Sequence, residues 1–192
     1  MRQFRLQILI QALLKKPEHQ SPAVRIGEKI YMDKLAGFSE IKILSRQYKD
    51  AKKSIVFTNG CFDIMHAGHV KYLTHAASLG DILILGLNSD SSVKKIKGEK
   101  RPVIGQDHRS IVVSALSCID HVVVFDEPDP ELLIEAICPD VLVKGADWPE
   151  DKIIGADFVK KNGGYIERVC LEPDISTTKI IERIGNLYYG KQ

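Results

Sequence analysis

The chain has 192 residues, 44% hydrophobic and 27% charged, and its 27 Lys and Arg against 25 Asp and Glu give a formal net charge of +2. This composition excludes a disordered or fibrous chain, and the small net charge argues against a dedicated nucleic-acid binder. Residues 1–53 hold 12 basic and 5 acidic side chains, whereas residues 54–192 hold 15 basic and 20 acidic ones. The sequence therefore predicts a basic N-terminal region followed by a mildly acidic body.

The first residues carry apolar side chains at helical spacing, namely Leu6, Leu9, Ile10, Leu13 and Leu14. The run is too short to span a bilayer and has no signal-peptide cleavage site, so an amphipathic helix that packs on protein is favoured over one that binds a membrane surface. Prolines and glycines in residues 17–38 indicate a connecting stretch with little regular structure. We therefore predict an N-terminal extension over residues 1–38, interpreted as a packing or dimerising arm, and one functional domain over residues 39–192.

The cysteines are far apart in the sequence: Cys61, Cys118, Cys138 and Cys170. None forms a C-x-x-C pair, and the spacing fits neither a zinc site nor a disulfide framework. Because apolar residues flank each of them, we expect buried, reduced thiols. Reduced thiols predict a cytoplasmic protein.

From Ser39, the predicted N-cap of a first helix, short apolar strands alternate with helices. In chain order the predicted elements are a strand at 55–58, a helix at 66–79, a strand at 82–87, a polar loop at 88–106, a helix at 107–116, a strand at 122–125, a helix from Pro130, strands at 141–143 and 165–170, and a helix at 176–184. This alternation predicts an α/β fold, a Rossmann-like, doubly wound parallel sheet of five strands with helices on both faces. Ligands of such sheets bind beyond the carboxyl ends of the strands, where the strand order reverses.

The junction after the first predicted strand, residues 58–69, concentrates side chains suited to phosphate chemistry. Gly60 lets a ligand approach the backbone, and N–H groups at the start of the following helix favour anions. His66 and His69 are three residues apart and share one helix face, which Gly68 keeps open. Two imidazoles at this edge can bind phosphate oxygens and stabilise charge that develops in phosphoryl transfer.

His66-Ala67-Gly68-His69, following Asn59-Gly60-Cys61-Phe62-Asp63, resembles the H-x-G-H signature of the nucleotidyltransferase superfamily. Six further segments resemble one subfamily, the D-glycero-D-manno-heptose 1-phosphate adenylyltransferases or ADP-heptose synthases: residues 88–93, 97–102, 143–148, 154–157, 163–164 and 176–181. The resemblance covers residues 39–185 and implies a nucleotidyltransferase fold. It also implies a reaction of ATP with heptose 1-phosphate that yields ADP-heptose, a lipopolysaccharide core precursor, and pyrophosphate. Members occur fused to a sugar kinase or alone, and the length of this chain indicates the stand-alone form.

The resemblance also implies roles for individual residues. His66 and His69 contact the ATP phosphates and stabilise the pentacovalent α-phosphorus. The residues expected to bind the nucleotide are Thr58, Asn59, Gly60, Phe62, Asp63, Gly145, Asp147, Ser176, Thr177 and Thr178. The alternative role for Asp63 is to cap the helix that carries the histidines. Ser176 can cap the last helix and contact the triphosphate at the same time, so its two roles are compatible.

Residues 94–101 hold five cations: Lys94, Lys95, Lys97, Lys100 and Arg101. Such a run is ordinarily a solvated face, but after the second strand it lies near the ligand edge and can clamp polyanionic phosphates. Lys95 and Lys97 are the candidate catalytic lysines. The residues expected to bind the sugar phosphate are Asn88, Asp90, Lys100, Arg101, Arg109 and Trp148. For Arg109 the alternative is a structural ion pair. For Trp148 the alternative is packing in the core.

The implied reaction is an in-line displacement at the α-phosphorus without a covalent enzyme intermediate. We expect Mg²⁺ as cofactor, held mainly by the phosphates, and no metal site made of protein ligands alone. The expected partners are the small-molecule substrates ATP and a sugar 1-phosphate, with no nucleic acid and no membrane, and a homo-oligomer, in its simplest form a dimer.

Two other functions fit the same pattern. A glycerol-3-phosphate cytidylyltransferase shares the signature, but that family has Arg-Thr-Glu-Gly before the final Ser, where this chain has Leu171-Glu172-Pro173-Asp174. A non-catalytic nucleotide-binding module is the second alternative, and the intact His66 and His69 argue against it. A redox flavoprotein also fits the fold, but it would give the two histidines no function.

Overall fold

Five short apolar segments form one parallel sheet in the computed structural model, which describes residues 32–170 and 172–190. In chain order the elements are α1 (Phe38–Asp50), β1 (Ile55–Gly60), α2 (Ala67–Ala77), β2 (Ile82–Asn88), α3 (Asp90–Lys97), α4 (Gln106–Ser114), β3 (His121–Phe125), α5 (Glu131–Ile137), β4 (Val141–Gly145), a 3-10 helix (Glu150–Lys152), α6 (Ala156–Lys161), β5 (Tyr165–Val169) and α7 (Thr177–Tyr189). The strand order is β3-β2-β1-β4-β5, so the order reverses between β1 and β4.

The sheet buries apolar side chains on both faces, as the continuous apolar strands predict. Ile55 and Phe57 of β1 point into one core, with side chains from α1, α5 and α6. Val56 points into the other core, with side chains from α2 and α4. All three residues are fully buried. The predicted five-stranded, doubly wound α/β fold is confirmed.

The predicted polar loop at residues 88–106 is partly wrong, because it contains helix α3. Ser89 caps this helix, its hydroxyl accepting a hydrogen bond from the Ser92 N–H at 3.2 Å. Only one side of the helix is buried, through Ser92 and Val93, so apolar periodicity is nearly absent. Helix α6 and the 3-10 helix were also missed, since both are short. Helix α1 begins at Phe38 with Gly37 as its N-cap, where the sequence predicted Ser39.

The connecting stretch predicted for residues 17–38 ends with residues that pair with the sheet. Leu35 forms a parallel bridge with Val122 of β3, and the Ala36 N–H donates to the Val122 carbonyl at 2.9 Å. These contacts cover the outer edge of β3. The predicted helix over residues 6–14 and most of the connecting stretch lie outside the described residues, and the division at residue 38 stays a prediction.

The cysteines are free thiols, but they are less buried than expected. Cys61, Cys118 and Cys138 are half-buried and Cys170 is exposed. Flanking apolar residues do not guarantee burial of the thiol, because neighbours along a strand or turn point in different directions. Among residues 32–170 and 172–190, no helix has the length and apolarity that crossing a membrane requires.

Candidate active site

A cleft opens between β1 and β4, at the point where the strand order reverses. β1 pairs with β2 along its whole length, from Ile55↔Ile82 to Gly60↔Leu87. It pairs with β4 only at Val56↔Val141 and Phe57↔Leu142, so the carboxyl ends of β1 and β4 separate. The resulting cleft has a volume of about 470 Å³, a size typical of small-molecule sites. The cavity therefore lies where the sequence predicted the ligand site.

Most residues that the sequence singled out meet in this cleft. Those that line it are Asn59, Gly60, Phe62, Asp63, His66, His69, Asn88, Lys97, Arg101, Gly145, Asp147, Trp148, Ser176, Thr177 and Thr178. They come from the ends of β1, β2 and β4 and the segments that follow β1 and β4, from the starts of α2 and α7, and from the end of α3 and the loop after it. The remaining candidates, Thr58, Asp90, Lys95, Lys100 and Arg109, lie outside the lining.

The two histidines of the signature stack on each other. His66 is the N-cap of α2 and His69 lies in its first turn, and their ring centroids are 3.8 Å apart with planes inclined by 22°. In the described part of the chain, neither Nδ1 atom has a hydrogen-bond partner, although both are buried. Buried polar atoms without partners are uncommon, so each ring is available to a ligand.

Burial favours the neutral form of both rings. Burial lowers the pKa of His66, while burial and the neighbouring His66 lower the pKa of His69 to about 4. A neutral imidazole has one N–H donor and one acceptor nitrogen. The pair can therefore donate to phosphate oxygens without carrying a positive charge before the anion arrives.

Gly60 and Phe62 shape the wall beside the histidines. Phe62 has a positive φ of 42°, and its ring lies 5.1 Å from the ring of His69. A Cβ atom on Gly60 would lie 2.9 Å from the Phe62 ring, so only glycine fits there. Close packing of Gly60 against the Phe62 ring therefore shapes this wall of the cleft.

Gly68 leaves room for the His66 ring, since a Cβ atom there would lie 3.1 Å from that ring and 3.3 Å from Ile175. If the His66 ring contacts the reacting atoms, we expect Gly68→Ala to lower turnover by about 10-fold or more, because displacement of such a ring by a fraction of an ångström is costly. Stability should not fall, since alanine favours helix more than glycine. Steady-state kinetics and thermal unfolding test this, with Gly185→Ala in α7 as control because nothing lies within 4 Å of that position. Wild-type turnover in Gly68→Ala would contradict the steric role.

Asp63 anchors the loop that follows α3, although it also lines the cleft. Its carboxylate accepts hydrogen bonds from Arg101 Nε at 2.6 Å and from the N–H groups of Val103 and Ile104, each at 2.9 Å. Burial raises the pKa of Asp63, but these hydrogen bonds outweigh it and hold the pKa below its ordinary value. The alternative that Asp63 caps the histidine helix is wrong, because His66 is the N-cap.

Arg109 is a buried structural residue, and the expectation that it binds substrate is corrected. Its side chain is 1% exposed, and its guanidinium donates to the carbonyls of Ile104 and Cys61 at 2.9 and 2.5 Å and to Asp90 Oδ1 at 2.7 Å. Asp90, also expected at the substrate, instead forms this ion pair. The network joins the loop after β1 to the loop before α4, because both loops supply carbonyls to one guanidinium.

Three other candidates also lie away from the cleft. Thr58 is fully buried and shares a 2.7 Å hydrogen bond with the hydroxyl of Tyr72, so it supports the cleft wall from behind. Lys95 and Lys100 are exposed on the surface. Lys97 and Arg101 are therefore the two cations of the 94–101 run that this structure brings to the cleft.

Helix α7 points its N-terminus into the cleft. The Ser176 hydroxyl accepts a hydrogen bond from the Lys179 N–H at 3.2 Å, which confirms the predicted cap. Ser176, Thr177 and Thr178 all line the cleft, so the cap and the ligand edge coincide. The positive end of the helix dipole and its free N–H groups favour an anion there.

Trp148 stands at the mouth of the cleft with 53% of its surface exposed, so it is not a core packing residue. Sequence reasoning missed Lys144, which lines the cleft at the end of β4 and donates a hydrogen bond to Asn59 Oδ1. Burial lowers the pKa of Lys144 to about 8. The signal that could have found it is a lysine directly after the apolar run 141–143, because charged side chains are rare in buried strands.

The parallel sheet with its reversal cleft, paired histidines and helix N-terminus defines a nucleotide-binding α/β domain. The sequence profile of the cytidylyltransferase-like family matches residues 57–183, and the chain belongs to this family. The predicted membership of the nucleotidyltransferase superfamily is thus confirmed.

Two curated relatives with the same name illustrate the similarity. The chain is 55% identical over 136 residues to the bifunctional protein HldE of Geobacter sulfurreducens, which covers 71% of this chain and 28% of that protein. It is 46% identical over 166 residues to the protein of the same name from Pelobacter propionicus. This match covers 86% of this chain and 34% of that protein. The chain thus spans about a third of the length of these relatives.

Solved structures share the fold. A lipopolysaccharide core biosynthesis protein from Thermoplasma volcanium aligns with a TM-score of 0.52 and 26% identity, covering 62% of this chain and 97% of that one. A pantoate-beta-alanine ligase from Francisella tularensis aligns with a TM-score of 0.56 and 14% identity, over 82% of this chain and 78% of that one. At this identity the alignment supports the fold alone.

Proposed function

We propose that this protein is an adenylyltransferase that transfers AMP from ATP to D-glycero-D-manno-heptose 1-phosphate, giving ADP-heptose and pyrophosphate for a lipopolysaccharide core precursor. The observation that carries the proposal is the stacked pair His66 and His69, open to the cleft at 3.8 Å between ring centroids. The relatives named HldE and the motifs shared with heptose 1-phosphate adenylyltransferases support the choice of sugar.

The geometry suits an in-line displacement. An oxygen of the sugar phosphate forms a bond to the α-phosphorus of ATP, and the bond from that phosphorus to the bridging oxygen of the β-phosphate breaks. Pyrophosphate leaves with the electron pair of the broken bond. His66 and His69 donate hydrogen bonds to the oxygens of the α-phosphorus, where charge builds up, and the N-terminus of α7 and the side chains of Lys97 and Arg101 neutralise the other phosphates.

The cleft fits Mg²⁺ that is bound together with the nucleotide. The carboxylates that line the cleft outside the Asp63 network are Asp129, Asp147 and Glu172, and in the described part of the chain no three His, Cys, Asp or Glu side chains cluster as a metal site. Mg²⁺ is commonly held by one or two carboxylates together with substrate phosphates. When bound, Mg²⁺ would neutralise negative charge on the triphosphate, and Asp147 or Asp129 would be its protein ligand.

Glycerol-3-phosphate cytidylyltransferase activity is the second candidate, favoured by the cytidylyltransferase-like family match. In that family a threonine precedes the Glu-Gly pair, where this chain has Glu172. Glu172 lines the cleft and pairs with Lys71 at 2.8 Å. A carboxylate at this position alters the charge of the cleft wall, which supports a different substrate pair.

A substrate panel tests the proposed function. The purified chain is incubated with ATP or CTP and with each anomer of heptose 1-phosphate or with glycerol 3-phosphate, and released pyrophosphate is measured. We expect release with ATP and heptose 1-phosphate only, at a rate about 100-fold or more lower in the His66→Ala variant. Release with CTP and glycerol 3-phosphate alone would overturn the proposal, as would ATP binding without pyrophosphate release from any pair.

The rest of the biological setting belongs to the same proposal. A cytoplasmic enzyme acting on two small molecules, without nucleic acid or membrane partners, fits the chemistry of the cleft. A homodimer is proposed because closed, symmetric dimers are the commonest assemblies of such domains.

A further inference from the structure

Lys144 and Asn59 face each other across the floor of the cleft. The last paired residues of the two strands are Phe57 and Leu142, and Asn59 and Lys144 each lie two positions further along. At these positions the backbones no longer pair, and the strands are joined instead by the hydrogen bond from Lys144 Nζ to Asn59 Oδ1. A single side-chain bridge thus spans the point where the sheet opens.

Within the described residues, the ammonium of Lys144 has no counter-ion. Across residues 32–170 and 172–190, Lys144 takes part in no ion pair, and Asn59 is the hydrogen-bond acceptor that its Nζ reaches. Burial lowers the pKa of Lys144 to about 8, so the group is still mainly charged at pH 7. An ammonium has three N–H donors, and a half-buried charge without a counter-ion carries a desolvation cost. An anion that enters the cleft would remove this penalty.

The surroundings indicate which anion this is. His66, His69 and the N-terminus of α7 line the same cleft, and each is a donor to phosphate. Gly145 and Asp147, one and three positions after Lys144, also line the cleft, as do Lys97 at the end of α3 and Arg101 in the loop after it. Lys144 therefore lines one cleft together with the histidine pair, the N-terminus of α7 and two further cations, a set of donors suited to the phosphates of a nucleotide.

We propose that Lys144 binds the triphosphate of the nucleotide directly and that Asn59 orients its ammonium, an inference that rests on the proposed function in taking ATP as the donor. Asn59 accepts one N–H and leaves the others free to point at phosphate oxygens. An uncharged amide suits this task, because a carboxylate at position 59 would neutralise the lysine before the nucleotide arrives.

Two variants test this from opposite sides. Lys144→Met removes the charge at nearly constant length, and Asn59→Asp supplies an internal counter-ion while the lysine stays. Calorimetry measures the binding of pyrophosphate and of α,β-methylene-ATP to each, and thermal unfolding of the free proteins is recorded in parallel. Lys161→Met is the matched control, since Lys161 is exposed on α6 outside the cleft.

We expect Lys144→Met and Asn59→Asp to bind both ligands about 10- to 100-fold more weakly, the range for loss of a hydrogen bond to a charged group. The melting temperature of the free Lys144→Met protein should equal or exceed that of the wild type, because an unpaired buried charge has been removed. A purely structural lysine would instead lower it. If Lys144→Met does not fold, Asn59→Asp decides the question by its binding alone.

Binding within twofold of the wild type in both variants would overturn the inference. So would a defect confined to the KM for the sugar phosphate, because the lysine would then serve the acceptor. Failure of the proposed function looks different: the wild type would release no pyrophosphate with heptose 1-phosphate, yet the binding of α,β-methylene-ATP would still depend on Lys144.

Discussion

Replacement of His66 or His69 by alanine is expected to lower the turnover of the proposed reaction by about 10²-fold or more. The proposed mechanism makes each imidazole a preorganised donor at the position where charge develops on the α-phosphorus, and loss of one such donor typically has an effect of this size. The two rings stack at 3.8 Å, so removal of either also releases the other from its position. The double variant should therefore lose less than the product of the single losses.

Pyrophosphate release at saturating ATP measures the effect, and circular dichroism shows that the variants are folded. His75→Ala is the matched control, because His75 lies on the same helix but is exposed and stands 3.7 Å from Glu167. We expect its turnover to stay within about twofold of the wild type, as for a surface substitution outside the site. Full activity in a folded His66→Ala protein would refute the assignment of the histidines.

Replacement of Asp63 by alanine is expected to lower the free energy of unfolding by about 3–5 kcal/mol, the range for removal of one partner from a buried ion pair. The Asp63 side chain is fully buried, and its removal leaves Arg101 and the N–H groups of Val103 and Ile104 without their acceptor. Because Arg101 lines the cleft, the proposed activity should fall as well. Asp63 thus acts as a positioning residue.

Urea unfolding at pH 7 measures the loss, and Asp107→Ala in the first turn of α4 is the control. Asp107 is exposed, and we expect its removal to change the free energy of unfolding by less than about 1 kcal/mol. The folded-state pKa of Asp63 is lowered, so its stabilising contribution is present above the unfolded pKa and disappears as the pH falls through the folded pKa. A loss no larger for Asp63→Ala than for the control would show that the loop does not depend on this carboxylate.

The strands and most helices were predictable because their signals are local. Residues such as Ile55, Val56 and Phe57 form a continuous apolar run, which a parallel strand buried on both faces requires. Helix α3 was missed because its eight residues include three lysines and few apolar side chains. Its stability comes from the Ser89 cap and from burial of Val93, which only the packed sheet reveals.

The candidate site was predictable in part for the same reason. His66, Gly68 and His69 lie on one short segment, so their spacing already places them together. Arg109 is different, because a guanidinium near a phosphate site and one buried among carbonyls look alike in a sequence. Its contacts with Cys61 and Ile104 depend on how two loops fold over each other.

The sequence by itself determined the parallel α/β fold, the histidine pair and the cap of the last helix, because each depends on neighbours within a few positions. Tertiary structure alone decided which cations reach the cleft. Lys144 and Asn59 are 85 positions apart and meet only because β1 and β4 are adjacent at the point where the strand order reverses. Burial then lowers the pKa of this lysine, and where the backbones of β1 and β4 stop pairing its ammonium meets Asn59 but, within the described residues, no counter-ion.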